Sequence, residues 1–535
     1  MKKDNVTGER LSYSETNLIA LKQTPSKRNF KEYLFEENKI YSLLMIFLMI
    51  CQFIVFKLCY PYPDFFSDSY SYILAAAAHL DVNIWPIGYS KFLSVFHWFS
   101  HSATSLNFFQ YMFLGIAGLY FYHTIIYFYS TGKNTRMFLC LFLFFNPLSL
   151  YLANYVSSDA IFVALSMIWI TQLIWVIQRP HPYQILVISI VIFIAFTFRY
   201  NAALYPIITA MTFILSRQKL WVRLAGIVAG PLLIIPFIIF SSNAAKKMTG
   251  TAQFPPILGG WQWGNNALYM RGFIDVDSTK LPSPETAELD RVARKYFSQP
   301  SRPQNDLSSY VANYFIREPE APLKQYMLAH YTIKDQIGQV VAWGKAAPIF
   351  GQYGTYLIKH YPIAFARYYL LVNTKNYFLP PLEKLEVYNL GKDDIWPLAA
   401  TWFGFQKPLI HANVSYSLQG IILMFLTPLF LILNGYYLYN LYRFIRQKGY
   451  RKVNKKTATT IFLISTFLFL NLFFSIFANI IVIRYQIYPM IIFLTFSMML
   501  TDLLDLQAAT KKPVQGWDGV DSRETLVNQW EPHVS

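Results

Sequence analysis

Long apolar runs constrain this chain more than any other feature. Stretches of about 18 or more predominantly apolar residues recur along it, each long enough to cross a ~30 Å hydrocarbon layer as a helix. A hydropathy reading marks about ten, over 40–59, 105–127, 137–152, 159–177, 185–199, 201–215, 222–240, 417–441, 458–479 and 482–502. Composition agrees: of 535 residues, 54% are hydrophobic and only 14% charged, where a soluble domain carries about 25% charged residues. The sequence predicts an all-α polytopic protein in a lipid bilayer, with neither an internal repeat nor a low-complexity tract.

The basic residues orient it. Lys2, Lys3, Lys22, Lys27, Arg28 and Lys31 crowd an N-terminal arm, 1–39. Further clusters are Lys133 with Arg136, Arg217 with Lys219 and Arg223, and "RFIRQKGYRKVNKK" at 443–456. With about ten spans and the N-terminus inside, all of them fall on the cytoplasmic side, as the positive-inside rule requires. Both termini are then cytoplasmic, the tail being 503–535. The net charge of +17 is read as this topology signal, with some attraction to anionic lipid heads. No basic soluble domain carries it, so nucleic-acid binding is not expected. A long polar arm ahead of the first span reads as a retained anchor. Cys51, Cys59 and Cys140 lie in or beside spans and build neither a disulfide framework nor a metal motif.

The same count divides the chain into a transmembrane module, 40–240, with a first outer loop, 60–104; a mainly helical outer cap, 241–416; and C-terminal spans, 417–502. In the cap, "PETAELDRVARKYFSQ" and "PLKQYMLAHYTIKDQIGQVVAWGKAA" have helical periodicity. The aromatic and basic "GTYLIKHYPIAFARYYLLVNTKNYFLPP" is expected on the membrane surface.

Ionisable groups at membrane depth are costly, and those that persist mark function. Apart from the cytoplasmic bases, the remainder is short. Asp64 and Asp68 follow span one in "PDFFSDSYSYILAAA", a stretch with no Lys or Arg to pair them. Asp159 begins span four, Arg199 ends span five, and Arg484 opens the last span in "NIIVIRYQIYP". All five are expected at one outer boundary. Each also has a plainer reading. Asp68 and Asp159 suit helix N-termini, and the arginines suit snorkelling anchors. His79, His97 and His101 share the first outer loop without a familiar metal spacing.

Taken in order, "FFSDSYSYILAA", "NIWPIGYSKFLSVF", "NYVSSDAIFVALSMIW", "FTFRYNAALYPI" and "RYQIYP" resemble the GT-C superfamily of membrane glycosyltransferases. The likeness is closest to bacterial relatives of the protein O-mannosyltransferases and the aminoarabinose transferase. Here Ser69 follows Asp68 where the mannosyltransferases have Glu, and the second acid, Asp64, stands four residues earlier.

The resemblance implies a GT-C fold in a plasma (inner) membrane, with its active site on the extracytoplasmic face. It implies an inverting transfer of a sugar from a polyprenyl-phosphate donor to the hydroxyl of a glycan, lipid or protein acceptor. Asp68 would be the general base. Arg484, with Arg199 and Lys91 as further candidates, would bind phosphate. Asp64 is a second acid for the substrate site. Asp159 would orient a substrate or help hold a divalent cation, and no other cofactor is implied. Tyr70, Tyr72, Trp85 and Tyr89 would stack on sugar or touch the prenyl chain. That chain would lie between spans, beneath "KHYPIAFARYYLLVN". Two rival expectations are an O-antigen polymerase or ligase, and a polytopic lipid or sugar transporter.

Overall fold

Backbone groups in hydrocarbon have no water to bond, so an apolar run spans a membrane only as a helix or as part of a closed barrel. The computed structural model describes residues 29–299 and 313–509. Lys2, Lys3, Lys22, Lys27, Arg28 and the tail beyond 509 lie outside the described residues. Those described form helices and no β-strand beyond two isolated bridges.

In chain order the principal helices begin with α1 (Lys39–Cys59), α2 (Ser67–Ala77), α3 (Gly88–Phe99), α4 (Ala103–Phe128), α5 (Lys133–Phe144) and α6 (Pro147–Asn154). Next come α7 (Asp159–Gln178), α8 (Gln184–Phe198), α9 (Tyr205–Leu215) and α10 (Leu220–Thr249). The cap holds α11 (Leu258–Arg271), α12 (Pro284–Phe297), α13 (Pro322–His330) and α14 (Gln336–His360). The chain then returns through α15 (Leu371–Phe378), α16 (Leu426–Arg446), α17 (Lys455–Ala478) and α18 (Ile487–Ala509).

Among the described residues, eight helical segments are long and apolar enough to cross a membrane: α1, α4, the α5–α6 pair, α7, α10, α16 with the short turn before it, α17 and α18. α8 and α9 are apolar but shorter. Each apolar run read from the sequence is therefore helical. The last begins at Ile487 rather than 482, and α10 runs on to Thr249. α1 and α10 expose rows of large apolar side chains, among them Leu43, Phe47, Val55, Leu224, Leu232 and Ile239. Such rows suit lipid, not water. α4, α7 and α18 are mostly buried and form the middle of the bundle. The 137–152 run is broken. Asn146 caps a new helix by accepting from the Leu148 N–H (3.0 Å), with Pro147 in its first turn. Gln52 donates to the Phe144 carbonyl (3.1 Å) at the break.

One hydrophobic core fills the bundle and a second fills the cap, from Ile257 to Tyr369. α11 and α14 cross closely there: a Cβ on Gly260 would meet the Ala347 carbonyl, and one on Gly354 the Trp263 carbonyl. An ion pair locks the cap. Arg271 donates to both oxygens of buried Asp290 (2.6 and 3.1 Å), and the Tyr353 hydroxyl adds a third bond (2.8 Å).

The expected cap, 241–416, divides between the two cores. Tyr377, Leu382, Leu385, Tyr388, Ile395 and Ile410 pack with the bundle. The aromatic segment from Lys359 sends Phe365 and Tyr369 into the cap core. Within this return, residues 380–391 form a strap across the bundle. Tyr388 donates to the Tyr62 and Pro63 carbonyls (3.2 and 3.1 Å). The Asn389 N–H donates to Asp64 (2.9 Å), and the Ile483 N–H to the Pro381 carbonyl (2.9 Å). Glu383, Asn389 and Leu390 take left-handed backbone angles there, with φ of 56°, 45° and 55°. Non-glycine residues hold such angles only where surroundings over-determine them.

Candidate active site at the junction of bundle and cap

Asp68 lies in the first turn of α2, where Ser69 accepts from the Phe66 N–H (3.3 Å) and fixes the entry to the helix. The helix N-terminus favours the carboxylate, but stronger partners come from far along the chain. Lys384 of the strap donates to one oxygen (3.1 Å), and both guanidinium termini of Arg484 approach the other (3.4 Å each). Arg484 also meets Asp159 (3.3 Å) and Glu383 (3.4 Å), and Asp159 pairs again with Arg199. The Phe66 ring lies 4.4 Å from the Lys384 ammonium and 5.1 Å from the Arg484 guanidinium, and Arg199 stands 4.6 Å from the Tyr485 ring.

The cluster is charge-balanced: Asp68, Asp159 and Glu383 face Arg199, Lys384 and Arg484. Burial pushes the Asp68 carboxyl up, but the Lys384 and Arg484 charges outweigh it and hold the group below the usual carboxylate range. Burial pushes Lys384 down despite Asp68. Burial would lower Arg484 too, but Tyr485, Glu383 and Asp68 together hold it above the usual guanidinium value. Asp68, Glu383, Lys384 and Arg484 line a cavity of about 250 Å³, whose remaining walls include Trp85, Trp396, Tyr485 and the cap residues Lys324 and Trp343.

Of the residues singled out in the sequence, Asp68, Asp159, Arg199 and Arg484 meet in this cluster. Trp85 lines the adjoining cavity, and the others go elsewhere. Asp64 is buried beneath the strap, bonded to the Asn389 N–H, and burial pushes its carboxyl up to about 8. It anchors the strap. Lys91 is exposed and pairs with Asp81 (3.0 Å), a partner available ten residues earlier. Tyr89 is fully buried and donates to Gln110 (2.8 Å), a packing role. Tyr70 stacks on Trp396, with ring centroids 4.7 Å apart, and so touches the cavity through that wall. Tyr72 reaches Ser158 (3.3 Å).

The expectation that Asp68 lacks basic partners is overturned. Nearby sequence holds none, but tertiary structure brings Lys384 and Arg484 to Asp68. Lys384 and Glu383 escaped sequence reasoning. Their one signal was the charges of "FLPPLEKLEV", an otherwise apolar stretch with two prolines. Nor does "KHYPIAFARYYLLVN" line the cavity. Its Phe365 and Tyr369 are drawn into the cap core, and Asn373 tethers it to α17 through the Ile476 carbonyl (2.7 Å).

His97 stacks on the Trp402 ring, with the His101 ring tilted beside it, and neither pairs with these acids. Among the described residues, no group of three or more His, Cys, Asp or Glu is placed to hold a metal ion. Asp159 is neutralised by two arginines, so the donor set there does not fit a divalent cation. A second cavity, about 360 Å³, opens among apolar side chains of α15, α16, α17 and α18, including Phe378, Leu438, Leu472 and Phe493.

No protein-family model matches the chain, and no curated protein or solved structure is significantly similar to it.

Proposed function

We propose that this is a membrane glycosyltransferase of GT-C type, moving a sugar from a polyprenyl phosphate to an acceptor hydroxyl on the cap side of the bilayer. One observation carries the reading: a carboxylate and two phosphate-competent cations, Asp68, Lys384 and Arg484, share a cavity at the end of apolar helices. Arginine's planar fork and lysine's compact charge suit phosphate oxygens. In this reading α8 and α9 complete ten spans. The bases around Lys133, Arg136, Arg179, Arg217 and Lys456 mark the cytoplasmic end. Contacts of Gly132 with Asp502 and of Tyr129 with Thr460 support their lying together, away from Arg484.

The charge balance suggests how the chemistry proceeds. A phosphodiester entering the cavity competes with Asp68 for Lys384 and Arg484. Its extra negative charge raises the proton affinity of Asp68, turning a weak base into a better one. The acceptor oxygen then attacks the anomeric carbon and its proton passes to Asp68. The bond from that carbon to the phosphate oxygen breaks, and polyprenyl phosphate leaves with the electron pair, held by the two cations. A single displacement inverts the anomeric centre. Arg199 holds Asp159, and Asp159 in turn positions Arg484. The apolar cavity beside α16 and α17 would take part of the prenyl chain.

Purified protein in nanodiscs, given radiolabelled polyprenyl-phosphate sugars and membrane extract as acceptor, should transfer at least one of them with inversion. Binding of donors without turnover of any would replace this reading with that of a carrier.

A further inference from the structure

The cap wall of the same cavity carries a feature that the transfer chemistry leaves unused. Lys324 of α13 projects its ammonium over the Trp343 ring, 3.7 Å from the centroid, and lies 5.5 Å from that of Trp261. Burial pushes it down to about 8, and among the described residues no anion offsets the effect. The indole N–H of Trp343 is buried and, among the described residues, has no acceptor. Both residues line the cavity, with the amides of Gln336 and Gln339 alongside.

Lysine and tryptophan side chains offer donors only, so the group that satisfies them is an acceptor. A neutral sugar hydroxyl would satisfy the indole but leave the ammonium charge uncompensated, which is the costly part in a desolvated pocket. The aromatic faces hold the cation in place without neutralising it. The Asp68 cluster differs, because its charges are matched before any ligand arrives. An uncompensated cation lining a cavity is a binding element for an anion.

We propose that Lys324 and Trp343 form a second anion site, distinct from the lipid-phosphate site, which takes a carboxylate or phosphate borne by the transferred sugar or by the acceptor. The proposal rests on the glycosyl-transfer reading and narrows it to an acidic sugar or an acidic acceptor. Arg317 stands on the same wall, but Glu318 (2.9 Å) matches its charge.

Two measurements test it. In the first, wild-type protein in nanodiscs is acetylated with an amine-selective reagent, and modification of Lys324 is followed by peptide mass spectrometry. Glucuronate and inorganic phosphate should slow its acetylation several-fold, and glucose should not. Equal rates in all three would overturn the proposal. In the second, wild type and Lys324→Gln are compared with uronosyl against hexosyl polyprenyl phosphates, and with acidic against neutral oligosaccharide acceptors. Wild type should prefer the acidic member on one arm by about tenfold or more, the weight of a charge-assisted hydrogen bond, and Lys324→Gln should lose that preference. The arm that responds identifies which substrate bears the charge. No acidic preference in wild type, or one that survives the substitution, contradicts the site. Protection of Lys324 by glucuronate in a protein that transfers no polyprenyl-linked sugar would keep the anion site and remove the glycosyl-transfer reading.

Discussion

Replacing Asp68 by Asn should separate binding from chemistry. The side chain keeps its shape, but its charge and its capacity as a base are lost. In the native cluster Asp68 accepts from Lys384 at 3.1 Å and from Arg484 at 3.4 Å. Hydrogen bonds to charged groups contribute a net ~1.5–3 kcal/mol each. An incoming phosphate must displace part of that interaction. Removing a competitor of about 1.5 kcal/mol should tighten polyprenyl-phosphate binding roughly tenfold. Transfer should fall at the same time by about 10²–10⁴-fold, the usual contribution of a positioned general base. Binding is read by quenching of tryptophan fluorescence in nanodiscs, aided by Trp85, Trp343 and Trp396 in the cavity wall. Transfer is read with the radiolabelled donor. Weaker binding in Asp68→Asn would refute the competition argument, and wild-type turnover would refute the base.

Three other substitutions probe the surrounding residues. Arg484→Lys keeps the charge but loses the fork that reaches Asp68, Asp159 and Glu383 together; donor affinity should drop by about 10–100-fold, and an unchanged Kd would remove Arg484 from the phosphate site. Lys91→Ala should leave transfer and stability near wild type, because an exposed pair contributes at most ~1 kcal/mol; a large loss of turnover would return Lys91 to the site. Asp64→Asn tests the buried carboxyl by its pH signature. The folded value near 8 lies above the ordinary 3.8, so the folded protein keeps a proton that the unfolded chain releases. That stability is fully present below about pH 4 and is lost as pH rises through about 8. Thermal melts from pH 5 to 9 should therefore show wild type losing stability relative to Asp64→Asn, and parallel curves would contradict the assignment.

Much of the bundle was legible because hydrocarbon leaves an apolar run few options, and each run read in the sequence is helical. The break at Asn146–Pro147 carried its own cap signal but lay inside an unbroken apolar pattern. Four members of the cluster were legible for one reason: Asp68, Asp159, Arg199 and Arg484 are charges at the rims of apolar runs, where a charge without a partner is too costly to keep. Lys384 and Glu383 were not legible, since no periodicity marks a strap. Its path depends on contacts such as Asn389 with Asp64 and Ile483 with Pro381, which join residues more than a hundred positions apart. The same distance explains the overturned view of Asp68. Asp68 has no base in its own short stretch, 63–77, because its bases stand 316 and 416 positions later. Asp64, read as a second acid for the substrate site, lies beneath the strap and serves it instead of the cavity.

The central claim is that Lys384 and Arg484 exchange Asp68 for the donor's phosphate. The most direct measurement is a cryo-electron microscopy structure of the Asp68→Asn protein in nanodiscs with a polyprenyl-phosphate sugar. The account predicts phosphate density within hydrogen-bonding distance of Lys384 and Arg484, with the anomeric carbon facing residue 68. Phosphate bound elsewhere, with both cations still turned to residue 68, would contradict it.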